Sequence, residues 1–390
     1  VWGWSQAGSA IRYIFICDGN PQTWVVKLEI PVANVFVGEE EAKAVYDVVK
    51  SGWLSMGKKT KEFEERFAKV VGAKHGIAVN NGTSALHLAL AAIGAKHGDE
   101  VILPSLTFIS TANVVLYQNA RPVLVECDPK TYNVTADIIE KAITKKTKAI
   151  IPVDMNGMPA DYDEILEIAE KHSIPVIWDS AESLGAKYKG RIVGSIAPIH
   201  VFSFFPNKNI TTGEGGMITT DNDELCEKMK VLRNQGQDNR YHHIVIGYNY
   251  RMTEVQAAIG IEQLKKLERV VVEKQRIANV YNKEFAETRH IWPPFVPNYV
   301  SQHAWYMYAV NVDGHRDEIV KKLKERGIDT RLSFPPIHIQ PVYKEMFKFS
   351  ENSLPVTYAA WSRLVNIPIW PGLDKARQQY VIDTLIDICE

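Results

Sequence analysis

Between Ile77 and Thr220 short apolar runs alternate with amphipathic stretches, and this alternation leaves few folds open to the chain. Ile77–Val79, Glu100–Leu103, Val123–Glu126, Ala149–Val153, Pro175–Trp178, His200–Phe204 and Met217–Thr220 read as strands. Ala85–Ile93, Thr111–Gln118 and Tyr162–His172 carry helical spacing between them. Strands that alternate with helices over some two hundred residues specify an α/β domain with a largely parallel sheet, because parallel neighbours need crossover connections. Two amphipathic helices precede this region, Glu39–Ser51 and one ending at Gly72, each followed by glycine as a stop signal.

After the alternating region, Thr253–Ala286 reads as one long helical segment that bends or breaks near Leu267, and proline-rich His290–Tyr299 reads as a linker or crossover. A strand (Trp305–Val312), a helix (Arg316–Arg326), an extended segment (Thr330–Pro336) and a terminal helix (Lys375–Cys389) then make a smaller α+β domain. The expected division is a large domain over 30–265 and a small one over 266–390. Residues 1–29 read as a leader without functional weight, and they lack the basic and long apolar parts of a secretory signal.

Composition narrows the function. The 390 residues carry a formal net charge of -1, which gives no electrostatic reason to expect nucleic acid or an anionic membrane as partner. Cys17, Cys127, Cys226 and Cys389 are scattered without a CxxC pair, a pattern that suits a reducing cytoplasm and makes neither a disulfide framework nor a zinc site. His242 and His243 are adjacent, so their side chains diverge, and no metal-ligand set is read anywhere.

Ligands of an open α/β sheet gather at the carboxyl ends of its strands. Three candidate groups fall there. Asn81-Gly82-Thr83-Ser84 joins a strand to a helix, where free first-turn amides and the helix dipole attract an anion such as phosphate; taken alone it is also an ordinary helix cap. Asp179 ends a strand and could pair with a protonated pyridine nitrogen, or simply cap a helix. Lys208 follows the apolar run Val201–Phe205. Burial there is expected to lower its pKa, giving the neutral amine that condenses with a carbonyl. Phe108 could stack on a planar ring or sit in the core, and Ser203 could donate to a phosphate or face the sheet edge. TGEGGM (Thr212–Met217) fails as a dinucleotide fingerprint, since its third glycine is missing and a strand follows it.

Together the segments NGTSALHL (from Asn81), GDEVILPSLTF, WDSAES, FSFFPNKNITTGEGG and GYNYRMTEVQAAIG, in this order and spacing, resemble the sugar-nucleotide aminotransferases of the DegT/DnrJ/EryC1/StrS family. The likeness runs from about Val32 to the C-terminus. Within the family, FSFFPNKNITTGEGGM and IGYNYRMT look most like the perosamine-type 4-aminotransferases. The resemblance implies a fold-type-I, aspartate aminotransferase-like architecture, with a three-layer α/β/α large domain and a smaller α+β domain. It implies pyridoxal 5'-phosphate as cofactor and a cytoplasmic homodimer with shared active sites. Its substrates would be L-glutamate and a nucleotide-linked 4-keto-6-deoxy sugar, the product serving amino-sugar and polysaccharide biosynthesis.

Role by role, the resemblance implies that Lys208 holds the cofactor as a Schiff base and then moves protons. Asp179 would keep the ring nitrogen protonated, and Glu182 would lie near the phenolic oxygen or the substrate. Gly82, Thr83 and Ser203 would bind phosphate, Phe108 would stack on the ring, and Asn249 would reach the cofactor phosphate of the neighbouring subunit. Trp53, Ser55, Arg331 and His338 would contact substrate. Relatives that dehydrate keto sugars carry histidine in place of the lysine, so Lys208 favours transamination. A 3-keto sugar, a UDP- or dTDP-linked substrate, a non-catalytic regulator with the same fold, and a nicotinamide-dependent oxidoreductase stand as alternatives.

Overall fold

The computed structural model describes residues 14–17, 24–27 and 29–390. The leader reading of residues 1–29 therefore falls largely outside the described residues; Ile14–Cys17 and Trp24–Lys27 pair as antiparallel strands.

Seven strands form the main sheet: β1 (His75–Val79), β2 (Glu100–Pro104), β3 (Arg121–Val125), β4 (Thr147–Ile150), β5 (Ile177–Asp179), β6 (Ile199–Ser203) and β7 (Gly216–Thr220). Ladders give the orders β1-β7-β6-β5 and β3-β2-β4. The parallel bridges Ile150↔Val176 and Val153↔Asp179 join the two into one sheet. Only β7 runs antiparallel, paired with β1 on one side and β6 on the other. The parallel majority expected from the alternation is present, with one reversed strand where the Lys208 turn folds straight back on β6.

Side-chain alternation along each strand builds two separate cores. On one face Ala78, Ile102, Ile150, Trp178, Phe202 and Met217 pack with the helices Lys58–Val71, Tyr162–Lys171 and Glu254–Leu264. On the other, Ile77, Val101, Ala149, Ile177, Val201 and Ile218 pack with Gly82–Ala92, Ser110–Tyr117 and Asp223–Arg233. The result is three layers, helix–sheet–helix. Phe63, Phe67, Phe202 and Phe204 meet edge-on in the first core, with Phe67 and Phe202 centroids 5.0 Å apart. Truncating such a ring to alanine costs about 3–5 kcal/mol.

Helix boundaries follow local chemistry. Glu39–Ser51 and Lys58–Val71 stop at Gly52 and Gly72, both left-handed (φ 73° and 76°). The long helical segment breaks where expected: Glu254–Leu264, opened by a Thr253/Gln256 capping box, ends at Lys265, and Leu267–Phe285 begins two residues later. That second helix serves two cores, with Leu267 and Val271 in the first and Ile277, Tyr281 and Phe285 in a third.

The third core lies under a small antiparallel sheet, β8 (Ile291–Trp292), β9 (Tyr308–Val312) and β10 (Leu364–Ile367), with β9 central. The helices Arg316–Glu325 and Lys375–Cys389 contribute Ile319, Leu323, Val381 and Leu385 to it. Ile30 also packs there and bridges Ile328, so the start of the expected large domain is anchored in the C-terminal body. The expected strand Trp305–Val312 begins only at Tyr308. Trp305 sits at φ 50°, and this left-handed residue turns the chain so that Tyr306 points at Lys208.

Candidate active site

The carboxyl ends of β1, β2, β5 and β6 share one edge of the sheet and open on a cleft of about 460 Å³. Gly82, Thr83, Phe108, Asp179, Glu182, Ser203, Lys208 and Arg331 all line it. Gly82 through Lys208 converge because parallel strands carry their ends to one side, while Arg331 arrives from the edge of the small sheet, bridged to Asn366.

Lys208 is delivered by a turn that the chain ties down from several sides. Phe204 N–H donates to Gly215 O (2.9 Å), and its carbonyl accepts from Thr212 N–H (3.0 Å) and Thr211 Oγ1 (3.0 Å). Gly213 takes φ 78°, and a Cβ on Gly215 would meet Thr212 Oγ1 at 2.1 Å. These two glycines are there for the turn, which is why TGEGG follows the lysine. Asn209 Nδ2 donates to Leu184 O (3.1 Å) and Ala304 O (2.8 Å), clamping the next residue to both walls.

The Lys208 side chain is 11% exposed, and its Nζ lies 3.3 Å from Glu182 Oε1. It also sits 3.8 Å above the Tyr306 ring. Burial works to lower the ammonium's pKa, as the sequence suggests. Tyr306, Glu182 and Asp179 oppose it together, and the net direction is up, not down. Without a ligand the amine is held charged by its neighbours, which corrects the expectation that burial alone makes it neutral. Glu182 is buried with its Oε2 accepting from Asn156 N–H (2.8 Å), and burial raises its carboxyl.

Asp179 is 5% exposed and closes the inner end of the cleft. Its oxygens accept from Ala181 N–H (3.2 Å) and Thr111 Oγ1 (3.0 Å), and burial pushes its carboxyl above the usual range. Among the described residues no cation pairs with it within 4.0 Å. A buried carboxylate without a protein counter-ion fits a ligand that brings its own positive hydrogen-bond donor, as a protonated pyridine nitrogen does. At the opposite wall Gly82 opens the helix Gly82–Ala92, whose N-cap Asn81 accepts from Ser84 N–H (2.8 Å). A Cβ at Gly82 would meet Ser203 Cβ at 2.9 Å, so only glycine lets this helix end approach β6. The free amides and Ser203 Oγ together suit an anion. Acid at one end, anion seat at the other and an amine between them fit pyridoxal phosphate.

Phe108 is 52% exposed at the mouth, its centroid 5.2 Å from that of Phe334. Lys208 and Arg331 are the cations of the lining, and Arg331 makes no ion pair within 4.0 Å among the described residues. Four expected residues lie elsewhere. His338 is fully buried, bonded to Ser105 Oγ (2.8 Å) behind the cleft wall. Trp53, Ser55 and Asn249 are exposed and do not line this chain's cleft. A wider groove of about 710 Å³ between Met56 and Arg233 is lined by surface lysines and glutamates and holds none of these groups. Tyr306, Asn207 and Thr111 enter the site unannounced. Tyr306 lies in an apolar run that reads as core, and nothing in its spacing singles it out.

The DegT/DnrJ/EryC1/StrS aminotransferase family model matches residues 36–386. GDP-perosamine synthase of Caulobacter vibrioides is 43% identical over 364 residues, covering 91% of this chain and 97% of that protein. The spore coat polysaccharide biosynthesis protein SpsC of Bacillus subtilis is 38% identical over 377 residues, covering 92% and 97%. Among solved structures, S. venezuelae DesV in complex with a ketimine intermediate superposes with a TM-score of 0.86 at 34% identity, covering 90% of this chain and 94% of that one.

Proposed function

Because the chain belongs to the DegT/DnrJ/EryC1/StrS aminotransferase family, which depends on pyridoxal phosphate, we propose that it moves an amino group from L-glutamate to a nucleotide-linked 4-keto-6-deoxy sugar. It is a sugar aminotransferase. The finer reading rests on its 43% identity to a GDP-perosamine synthase across nearly its whole length.

The observation that carries the chemistry is the placement of Lys208 between Glu182 and Asp179 in one buried cleft. When bound, the cofactor would supply a ring that takes up the electron pair left behind when a proton leaves the carbon next to the transferring nitrogen. Asp179 holds a proton at the ring nitrogen. The Gly82 and Thr83 amides and Ser203 Oγ bind the phosphate and fix the ring's position. Phe108 covers one face and keeps water out. Lys208 Nζ carries the cofactor between turnovers and then moves the proton at the reacting carbon, with Glu182 3.3 Å away to exchange it. Arg331, which makes no ion pair among the described residues, seats the carboxylate of the amino donor.

Asn249, Trp53 and Ser55 are exposed outside this cleft, and a second copy of the chain would use them, with Asn249 reaching the partner's phosphate. The active unit is then a homodimer. No helix among the described residues is long and apolar enough to cross a membrane. Incubating the enzyme with glutamate and a panel of keto-sugar nucleotides, then locating the new amine by mass and NMR, tests the assignment. Amination at C4 of a 6-deoxy sugar supports it, and amination at C3 alone would replace it.

A further inference from the structure

Lys274 is a second buried lysine beside the first. It lies on the inner face of the helix Leu267–Phe285, among buried Val270, Val271, Ile277 and Ala278, and is 4% exposed. Its Nζ donates to Asn209 Oδ1 (2.8 Å) and to Tyr306 O (3.4 Å). Among the described residues no carboxylate comes within 4.0 Å of it. A buried ammonium without a counter-ion is expensive, so its place calls for a reason.

The two partners supply one. Asn209 follows Lys208 directly and is clamped to Leu184 O and Ala304 O. Tyr306 lies under the Lys208 ammonium. Lys274 thus holds together the two residues that aim Lys208, and it adds a positive charge behind it. We propose that Lys274 is a positioning residue that braces the Lys208 turn through Asn209 and, by its charge, makes Lys208 give up its proton more readily.

The groups facing Lys208 are Tyr306, Glu182 and Asp179, all of which favour the ammonium; the Lys208 charge lowers Lys274, and a charged Lys274 therefore works against them at Lys208. Coulomb coupling is mutual. Burial first, and then the Lys208 charge, push Lys274 down to about 7. Once Lys208 carries the cofactor, the second of these causes weakens while burial stays, so Lys274 holds its proton more firmly than in the cofactor-free protein.

The inference rests on Lys208 being the residue that carries the cofactor. Its test is the visible band of the cofactor-loaded enzyme followed against pH, whose midpoint reports protonation at the Lys208 nitrogen. Lys274→Gln keeps a donor for Asn209 but removes the charge, and should raise the midpoint by about one pH unit. Lys274→Arg keeps the charge and should leave it near wild type. An unmoved midpoint in Lys274→Gln, or an equal shift in Lys274→Arg, overturns the proposal. If Lys274→Gln does not fold, Lys274→Met is read by the same criteria. A Lys208→Ala protein that kept the band would overturn the premise instead, so the two failures are distinguishable.

Discussion

Lys208 Nζ and Glu182 Oε1 stand 3.3 Å apart inside a cleft where both side chains are nearly dry. Glu182 favours the protonated lysine, and removing its charge must therefore make the amine easier to deprotonate. Glu182→Gln should lower the midpoint of the visible band, the direction opposite to Lys274→Gln, and slow turnover about tenfold or more. A spectrophotometric pH titration of the loaded variants compares the two signs in one experiment.

Asp179 predicts effects of opposite sign with and without cofactor. Burial raises its folded pKa above the unfolded value, so the ionised form costs stability at neutral pH and that cost fades as pH falls through the folded pKa. Asp179→Asn removes this cost and should raise the melting temperature of the cofactor-free protein at pH 8. The same change removes the partner of the ring nitrogen and should cut activity about a hundredfold or more. Thermal melts of both forms, alongside steady-state rates, check both halves.

His200 and His303 set the acid limit. Both are buried and burial holds each near 3 instead of 6.5; His200 meanwhile bonds Ser180 Oγ (2.9 Å) and accepts from Ala197 N–H (2.8 Å). The unfolded chain binds protons first, so stability falls as pH drops from about 6.5 towards 3. At pH 4 each histidine withdraws roughly 3 kcal/mol. Urea midpoints between pH 7 and 4 should slope downward, and His200→Gln should flatten that slope if it folds with the same fluorescence spectrum.

Gly82 is required by a distance. Adding a methyl sets it 2.9 Å from Ser203 Cβ, and overpacking of this kind costs about 1–3 kcal/mol. Gly82→Ala should weaken cofactor binding at least tenfold. Gly82→Ala with Ser203→Gly relieves the clash but also removes the hydroxyl placed at the phosphate, so it should recover thermal stability while affinity stays weak. Thermal melts and equilibrium titration with pyridoxal phosphate measure both.

Arg331 predicts a split between the two half-reactions. As the seat of the donor carboxylate, Arg331→Met should raise KM for glutamate about tenfold or more while leaving KM for the keto sugar within a few-fold. Equal increases for both substrates would remove Arg331 from this role.

Much of this site is legible from residue order because strand ends collect on one edge. Gly82, Asp179 and Lys208 each follow an apolar run, and a parallel sheet can only bring such positions together. Helix limits were equally readable where chemistry is local: Gly52 and Gly72 stop two helices, and Lys375–Cys389 carries its own period. What escaped depends on tertiary context. The lysine's proton affinity is set by Glu182 and Asp179 from one other segment and Tyr306 from another, and no spacing rule announces Tyr306. Lys274 sits in a regular helix, where a lysine ordinarily faces water. His338 comes two residues after the extended segment that holds Arg331, and the turn at Ile337–Ile339 carries it under Ser105 and away from the cleft.

The central claim is that Lys208 both carries the cofactor and moves the proton. It is tested most directly by Lys208→Ala, purified, supplied with pyridoxal phosphate and assayed with glutamate and a keto-sugar nucleotide. The expected result is a folded protein that lacks the lysine-dependent visible band and forms no amino sugar. A variant that kept the band and aminated the sugar at the wild-type rate would contradict it.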